Sequence, residues 1–118
     1  MLQDPIKLVY NFSYAEMAKT FLIILSKQVE EFSHTGSNQQ ISVKDHLKRI
    51  YELFENELRR AAQLSDGSHL KNAYERLVES KDLFQSEKIE EALLKITKAI
   101  SEATTQAARS LEVMEQSG

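Results

Sequence analysis

The side chains with the widest chemical reach in this chain are three histidines, His34, His46 and His69, set among 18 acids and 15 bases in 118 residues. Glu31-Phe32-Ser33-His34 is an ExxH, a spacing that puts a carboxylate and an imidazole on one face of a helix and that di-iron bundles use in pairs. A second pair is missing, because Val43 and Asp66 stand three residues before His46 and His69. A polar helix end, with His34 near the last carbonyls, accounts for the motif, and no metal ligand is assigned. The absence of cysteine excludes thiolate metal sites, a cysteine nucleophile, a CxxC redox pair and any disulfide framework.

Nucleophilic and acid–base chemistry fare no better. Ser13, Ser42, Ser68 and Ser86 fall where helix caps are expected, and capping already explains them. Helical ribonucleases that place an arginine four to six residues before a histidine are not matched: Arg59 and Arg60 lie ten and nine residues before His69, and no arginine precedes His34 or His46. Three glycines form neither GxGxxG nor GxxxxGK[ST]. The sequence therefore assigns no catalytic residue, no cofactor-binding residue and no cofactor, and the expectation is a protein that is not an enzyme. A small helical-bundle enzyme or metal protein is the least favoured reading.

Bases cluster at Lys44, Lys48, Arg49, Arg59 and Arg60, with Lys71 nearby, but Glu52, Glu55 and Glu57 are interleaved and the net charge is −3. Lys48–Glu52, Glu55–Arg59 and Glu91–Lys95 are at i,i+4 spacing, which predicts self-paired, solvated faces. Phosphate binding needs unpaired cations, so a nucleic-acid-associated protein using this segment is the alternative function and nucleic acid a disfavoured partner. The aromatics Phe12, Tyr14, Phe21, Phe32, Tyr51, Phe54, Tyr74 and Phe84 lie on or beside apolar stripes and read as core.

The elements that would position these residues are all helical. One proline and three glycines leave long stretches without a breaker, with apolar residues recurring at three and four. Asp4-Pro5 suits Ncap and N1, and Ile6, Tyr10, Tyr14, Met17, Phe21, Ile24, Leu25 and Phe32 predict the inward face of a first helix over roughly 5–33. Ser13 to Glu16 also forms a capping box, so residues 1–12 are alternatively a separate N-terminal helical segment. His34 to Ser42 reads as the longest loop, mobile and first to be nicked by proteases. A second helix from Ser42 carries Val43, Leu47, Ile50, Tyr51, Phe54, Leu58, Ala61 and Ala62, and stops near Ser65-Asp66-Gly67. Ser68 caps a shorter third helix with Leu70, Ala73, Tyr74, Leu77, Val78 and Phe84. Ser86, followed by Glu87, Glu90 and Glu91, starts a fourth that runs to about Met114.

The stripe of that last helix is Ile89, Leu93, Ile96, Ile100, Ala103, Ala107, Leu111 and Met114, bulky first and small afterwards. From Asn72-Ala73-Tyr74 through Leu77 to Glu91-Ala92-Leu93 and Lys98-Ala99-Ile100 the pattern resembles a tetratricopeptide or similar helix-turn-helix unit, over roughly a quarter of the chain. A solenoid needs several such units and no fixed-period repeat is present. The fold expected is all-α, an antiparallel up-and-down four-helix bundle forming a single domain over residues 1–118. The only strongly apolar run, Phe21 to Leu25, is far short of the roughly 20 residues of a membrane span. With no secretory leader pattern, a cytoplasmic location without membrane association is the default.

A fourth helix of roughly 28 residues is about 42 Å long against about 25 Å for the third. Its overhang must be covered by residues 1–12, with Leu2, Ile6, Val9 and Phe12, or by another subunit. The ridge of Ala99, Ala103 and Ala107, widened by Ala108 and Leu111, predicts self-association as a homodimer. The function expected is a non-enzymatic interaction or assembly module that self-associates or binds a partner protein helix.

Overall fold

A computed structural model describes residues 4–34 and 37–117. Four helices are present, α1 (Pro5–Phe32), α2 (Ser37–Leu64), α3 (His69–Gln85) and α4 (Ile89–Ser117), and no strand among the described residues. Each helix packs on its neighbours in sequence and α1 closes the ring on α4, giving an antiparallel up-and-down bundle. The most extensive pairs are α3 with α4 and α1 with α4. The molecule is 57 Å long and 20 × 17 Å across. A helix of 28 residues spans only about 42 Å, so the helices are staggered along the axis.

Local chemistry sets most boundaries. Asp4 caps α1 by accepting the Ile6 amide at 2.9 Å, with Pro5 in the first turn. Ser13 does not restart the helix, since α1 runs unbroken and Glu16 pairs with Lys19 at 2.9 Å instead. Gly67 takes φ +82° in the α2–α3 connection, where a left-handed residue suits glycine.

Two boundaries depart from the sequence-based expectation. Helix α2 begins at Ser37, not Ser42, so most of the expected loop is helix, and Thr35 and Gly36 lie outside the described residues. Asn38-Gln39-Gln40 is polar, but glutamine is a good helix former and a first turn has no need of an apolar face. Ser86 ends α3 rather than starting α4. Its amide donates to Asp82, Glu87 follows with φ +65°, and the Lys88 amide donates to the Leu83 carbonyl at 2.9 Å. This is a Schellman closure with glutamate in the position glycine usually takes. Glu90 and Glu91 then occupy the first turn of α4 as expected.

The inward stripes of α2, α3 and the first part of α4 match expectation, with Leu47, Tyr51, Leu58, Leu70, Leu77, Phe84 and Ile96 all buried. The stripe of α1 does not. Its buried face is Leu8, Asn11, Ala15, Ala18, Leu22, Leu25, Val29 and Phe32. Of the predicted stripe only Leu25 and Phe32 are buried, while Ile6, Tyr10 and Ile24 are exposed. The physical reason lies in α4: its small face of Ala99, Ala103 and Ala107 admits a neighbour at close range, and α1 meets it with Ala15 and Ala18 rather than with aromatic rings. The bulky residues are displaced to the flank, where Phe21 stacks on Phe54 of α2 with centroids 4.8 Å apart.

Within the core, the Ser80 hydroxyl donates to the Ala92 carbonyl at 2.8 Å, so the Tyr51 hydroxyl, 2.8 Å away, donates to Ser80. Burial pushes the Tyr51 phenol up to about 12, a shift that its hydrogen bond to Ser80 partly opposes.

Candidate functional site

The polar side chains that the bundle draws inward gather at one end, where the start of α1, the α2–α3 connection and the second half of α4 meet. Asn11 and Gln106 occupy core-facing positions and are 7% and 4% exposed. Asn11 accepts the Asp66 amide on its side-chain oxygen at 3.1 Å, and its main-chain carbonyl accepts the Gln106 Nε2 at 2.9 Å. Gln106 Nε2 also lies 3.4 Å from Ser65 Oγ. Because only the amide nitrogen can donate to a carbonyl, the orientation of Gln106 is fixed. Its Oε1 is left buried without a protein partner. Asp66 is tied in turn to Lys7 at 3.2 Å.

Beside this clasp stands a charged row on α3 and α4. His69 Nδ1 lies 2.7 Å from Glu102 Oε2, and His69 Nε2 lies 3.2 Å from Arg109 Nη1. A guanidinium only donates, so Nε2 accepts and the imidazole proton sits on Nδ1, donated to Glu102. Both ring nitrogens of His69 thus have a partner, one on each side. A cleft of about 340 Å³ opens here, lined by Asn11, Asp66, His69, Gln106, Arg109 and Ser110 with Leu8 as an apolar wall. Upstream spacing from arginine to histidine could not reveal this pair, because Arg109 reaches His69 from another helix. Asn11, Glu102, Gln106 and Ser110 were equally hidden; the one signal was polar residues recurring between the alanines of α4.

His34 lies in the turn after α1 and is exposed. No group of three or more histidines, aspartates or glutamates is placed to hold a metal ion among the described residues. Two residues of the expected intrahelical pairs reach across helices instead: Glu55 binds Lys81 of α3 at 2.6 Å and Lys95 binds Glu79 of α3 at 2.7 Å, while Arg59 donates to Asn56 one turn earlier on α2. Partly desolvated partners across a helix seam interact more strongly than exposed neighbours on one helix. Accordingly, the Lys95 ammonium holds the Glu79 carboxyl below its ordinary value and the Glu55 carboxylate holds the Lys81 ammonium above its own. Lys44 of the basic segment reaches Glu87 at 3.3 Å.

The alanine ridge of α4 lies inside the bundle: Ala99 and Ala103 are fully buried and Ala107 is 4% exposed. Of the two covers expected for the overhang, the chain's own α1 is present, but through Leu8, Asn11 and Ala15 rather than Ile6 and Val9, which are exposed, with Phe12 half-buried; Leu2 lies outside the described residues. Ala108 and Leu111 face solvent, and Ser110 takes the inward position expected of Leu111.

Exposed apolar side chains also line α1, while on α2 and α4 they are separate residues (Leu53, Leu64, Leu94, Leu111). Ile6, Val9 and Tyr10 are 62%, 50% and 54% exposed, and with Pro5 they line a shallow hollow of about 300 Å³. Tyr14, Met17 and Phe21 continue the strip half-buried, Tyr10 lying 6.2 Å from Tyr14 between centroids, and Ile24 ends it. No helix is long and apolar enough to cross a membrane among the described residues. No family model, curated protein or solved structure matches the chain.

Proposed function

We propose that the chain is a non-enzymatic helical interaction module that self-associates, and that the outer face of α1 is its contact surface. The observation that carries this reading is a second apolar strip, Ile6 to Ile24, on a helix whose other face is already spent on the core. Ile6, Val9, Tyr10 and Ile24 are 62%, 50%, 54% and 43% exposed, and contiguous exposed apolar side chains of this kind mark interaction surfaces.

A second copy is the occupant that suits it. In an antiparallel two-fold pair the Ile24 end of one α1 meets the Ile6–Tyr10 hollow of the other, and the same contact repeats by symmetry. The buried alanine ridge is not needed, so the bundle stays intact on association.

The chain has no cysteine, which allows a single cysteine to be placed at Met17, beside the two-fold midpoint of the strip, and at Leu94 as a control. Mild oxidation should yield covalent dimers from position 17 and none from Leu94. Crosslinking at Leu94 alone, or at no position, would contradict the assignment. Crosslinking only in the presence of another protein's helix would replace the second copy by a partner.

A further inference from the structure

Helix α2 carries a row of side chains beside the α1 strip. Leu53, Glu57, Arg60 and Leu64 recur at spacings of four, three and four, so they share one face of α2. Leu53 and Leu64 are 57% and 54% exposed, Arg60 is exposed and Glu57 is half-buried. The row borders the α1–α2 seam, because Phe54, next to Leu53, is the residue that stacks on Phe21 of α1. Neither Glu57 nor Arg60 has an ion-pair partner among the described residues.

In reverse order the row has the same spacing, with its two ends alike and its two middle residues opposite in charge. Against an antiparallel second copy, Leu53 meets Leu64 and Glu57 meets Arg60, each contact made twice by symmetry. The α1 strip obeys the same operation: Tyr10 and Ile24 each lie seven residues from Met17, so Tyr10 meets Ile24 when Met17 is at the axis.

Centres on two helices describe one dimer only if they lie at one height along the bundle. The Phe21–Phe54 stack marks a common height on α1 and α2, which run in opposite directions. From the stack, Met17 is four residues toward the start of α1. The centre of the α2 row, between Leu58 and Arg59, is four to five residues toward the end of α2. At about 1.5 Å per residue, both centres lie about 6–7 Å from the stack in the same direction. A single two-fold axis therefore serves both helices.

We propose that the second copy is seated on α1 and α2 together, about an axis passing Met17 and the centre of the Leu53–Leu64 row, with two Glu57–Arg60 ion pairs fixing the register. This rests on the contact surface assigned to α1 and adds α2 to it. Charge pairs of this kind set register and partner choice more than affinity. A slip of one helical turn would set a leucine against Arg60 or Glu57 and lose both pairs.

The test is sedimentation equilibrium of the full chain carrying Glu57→Arg, Arg60→Glu or both, and of an equimolar mixture of the two single variants. Each single change turns two attractive contacts repulsive and should weaken dimerisation about tenfold or more. The double variant exchanges the ends of each pair and should recover wild-type association. The mixture should form dimers of one chain of each kind, since the cationic row then faces the anionic one. Undiminished dimers in both single variants, or a mixture no more associated than its components, would overturn this inference. If Ile6→Lys with Tyr10→Lys still abolishes the wild-type dimer, the α1 surface stands without it. A wild type that stays monomeric would overturn both.

Discussion

Tyr51 brings a hydroxyl into the core that is received by Ser80, and Ser80 in turn is satisfied by the Ala92 carbonyl. Ser80→Ala should cost about 1–3 kcal/mol, because it strands a buried donor. In that background Tyr51→Phe should be neutral or stabilising, although alone it should cost about 1 kcal/mol; urea melts of the four proteins give the coupling. Burial raises the Tyr51 phenol from 10.0 to about 12, so the unfolded chain releases this proton first. The linked stability is fully present below pH ~10 and is lost as pH rises toward ~12, a loss of about 2–3 kcal/mol from this one group. The wild type should therefore lose more stability than Tyr51→Phe between pH 9 and 12, and parallel curves would show that the phenol ionises as freely when folded. At this scale the sequence discloses only some of the pattern. Asp4-Pro5 can be read as a cap because its partner is two residues away. Ser80, Asn11 and Gln106 cannot, because a polar residue inside a helix looks solvated until the helix meeting it is known.

The same limit appears for whole elements. Helices α2, α3 and the first half of α4 each carry one apolar stripe, and the inward face follows. Helix α1 carries two, and hydrophobicity alone favours the aromatic one. The choice falls to the small face of α4, which accepts Ala15 and Ala18 and excludes rings. Leu22→Ala should accordingly cost about 2–5 kcal/mol, while Ile6→Ala should stay within about 0.5 kcal/mol when measured on the monomer at high dilution. The reverse order would return the Ile6 stripe to the core. Ala103→Leu should overpack the α1–α4 seam and cost about 1–3 kcal/mol in thermal or urea unfolding, whereas a neutral result would mean that the seam has room. The N-terminal extension of α2 is not visible from the sequence because a polar run suits the first turn of a helix and a loop alike.

For the molecule as a whole, the fold class was legible because breakers are few and periodicities long. The stagger that makes the bundle 57 Å long was foreseen as an overhang, but its cover was not decided by length alone. Helix α1 covers the alanine ridge from within, and the price is an apolar strip on its own outer side. That trade moves the expected contact between copies from α4 to α1. Sedimentation equilibrium at micromolar concentration tests this most directly, on the wild type and on Ile6→Lys combined with Tyr10→Lys, two changes at exposed positions that leave the core intact. The wild type should sediment at twice the 13.5 kDa chain mass and the double variant at the single-chain value. A wild type that stays at 13.5 kDa, or a double variant that remains dimeric, would contradict the account.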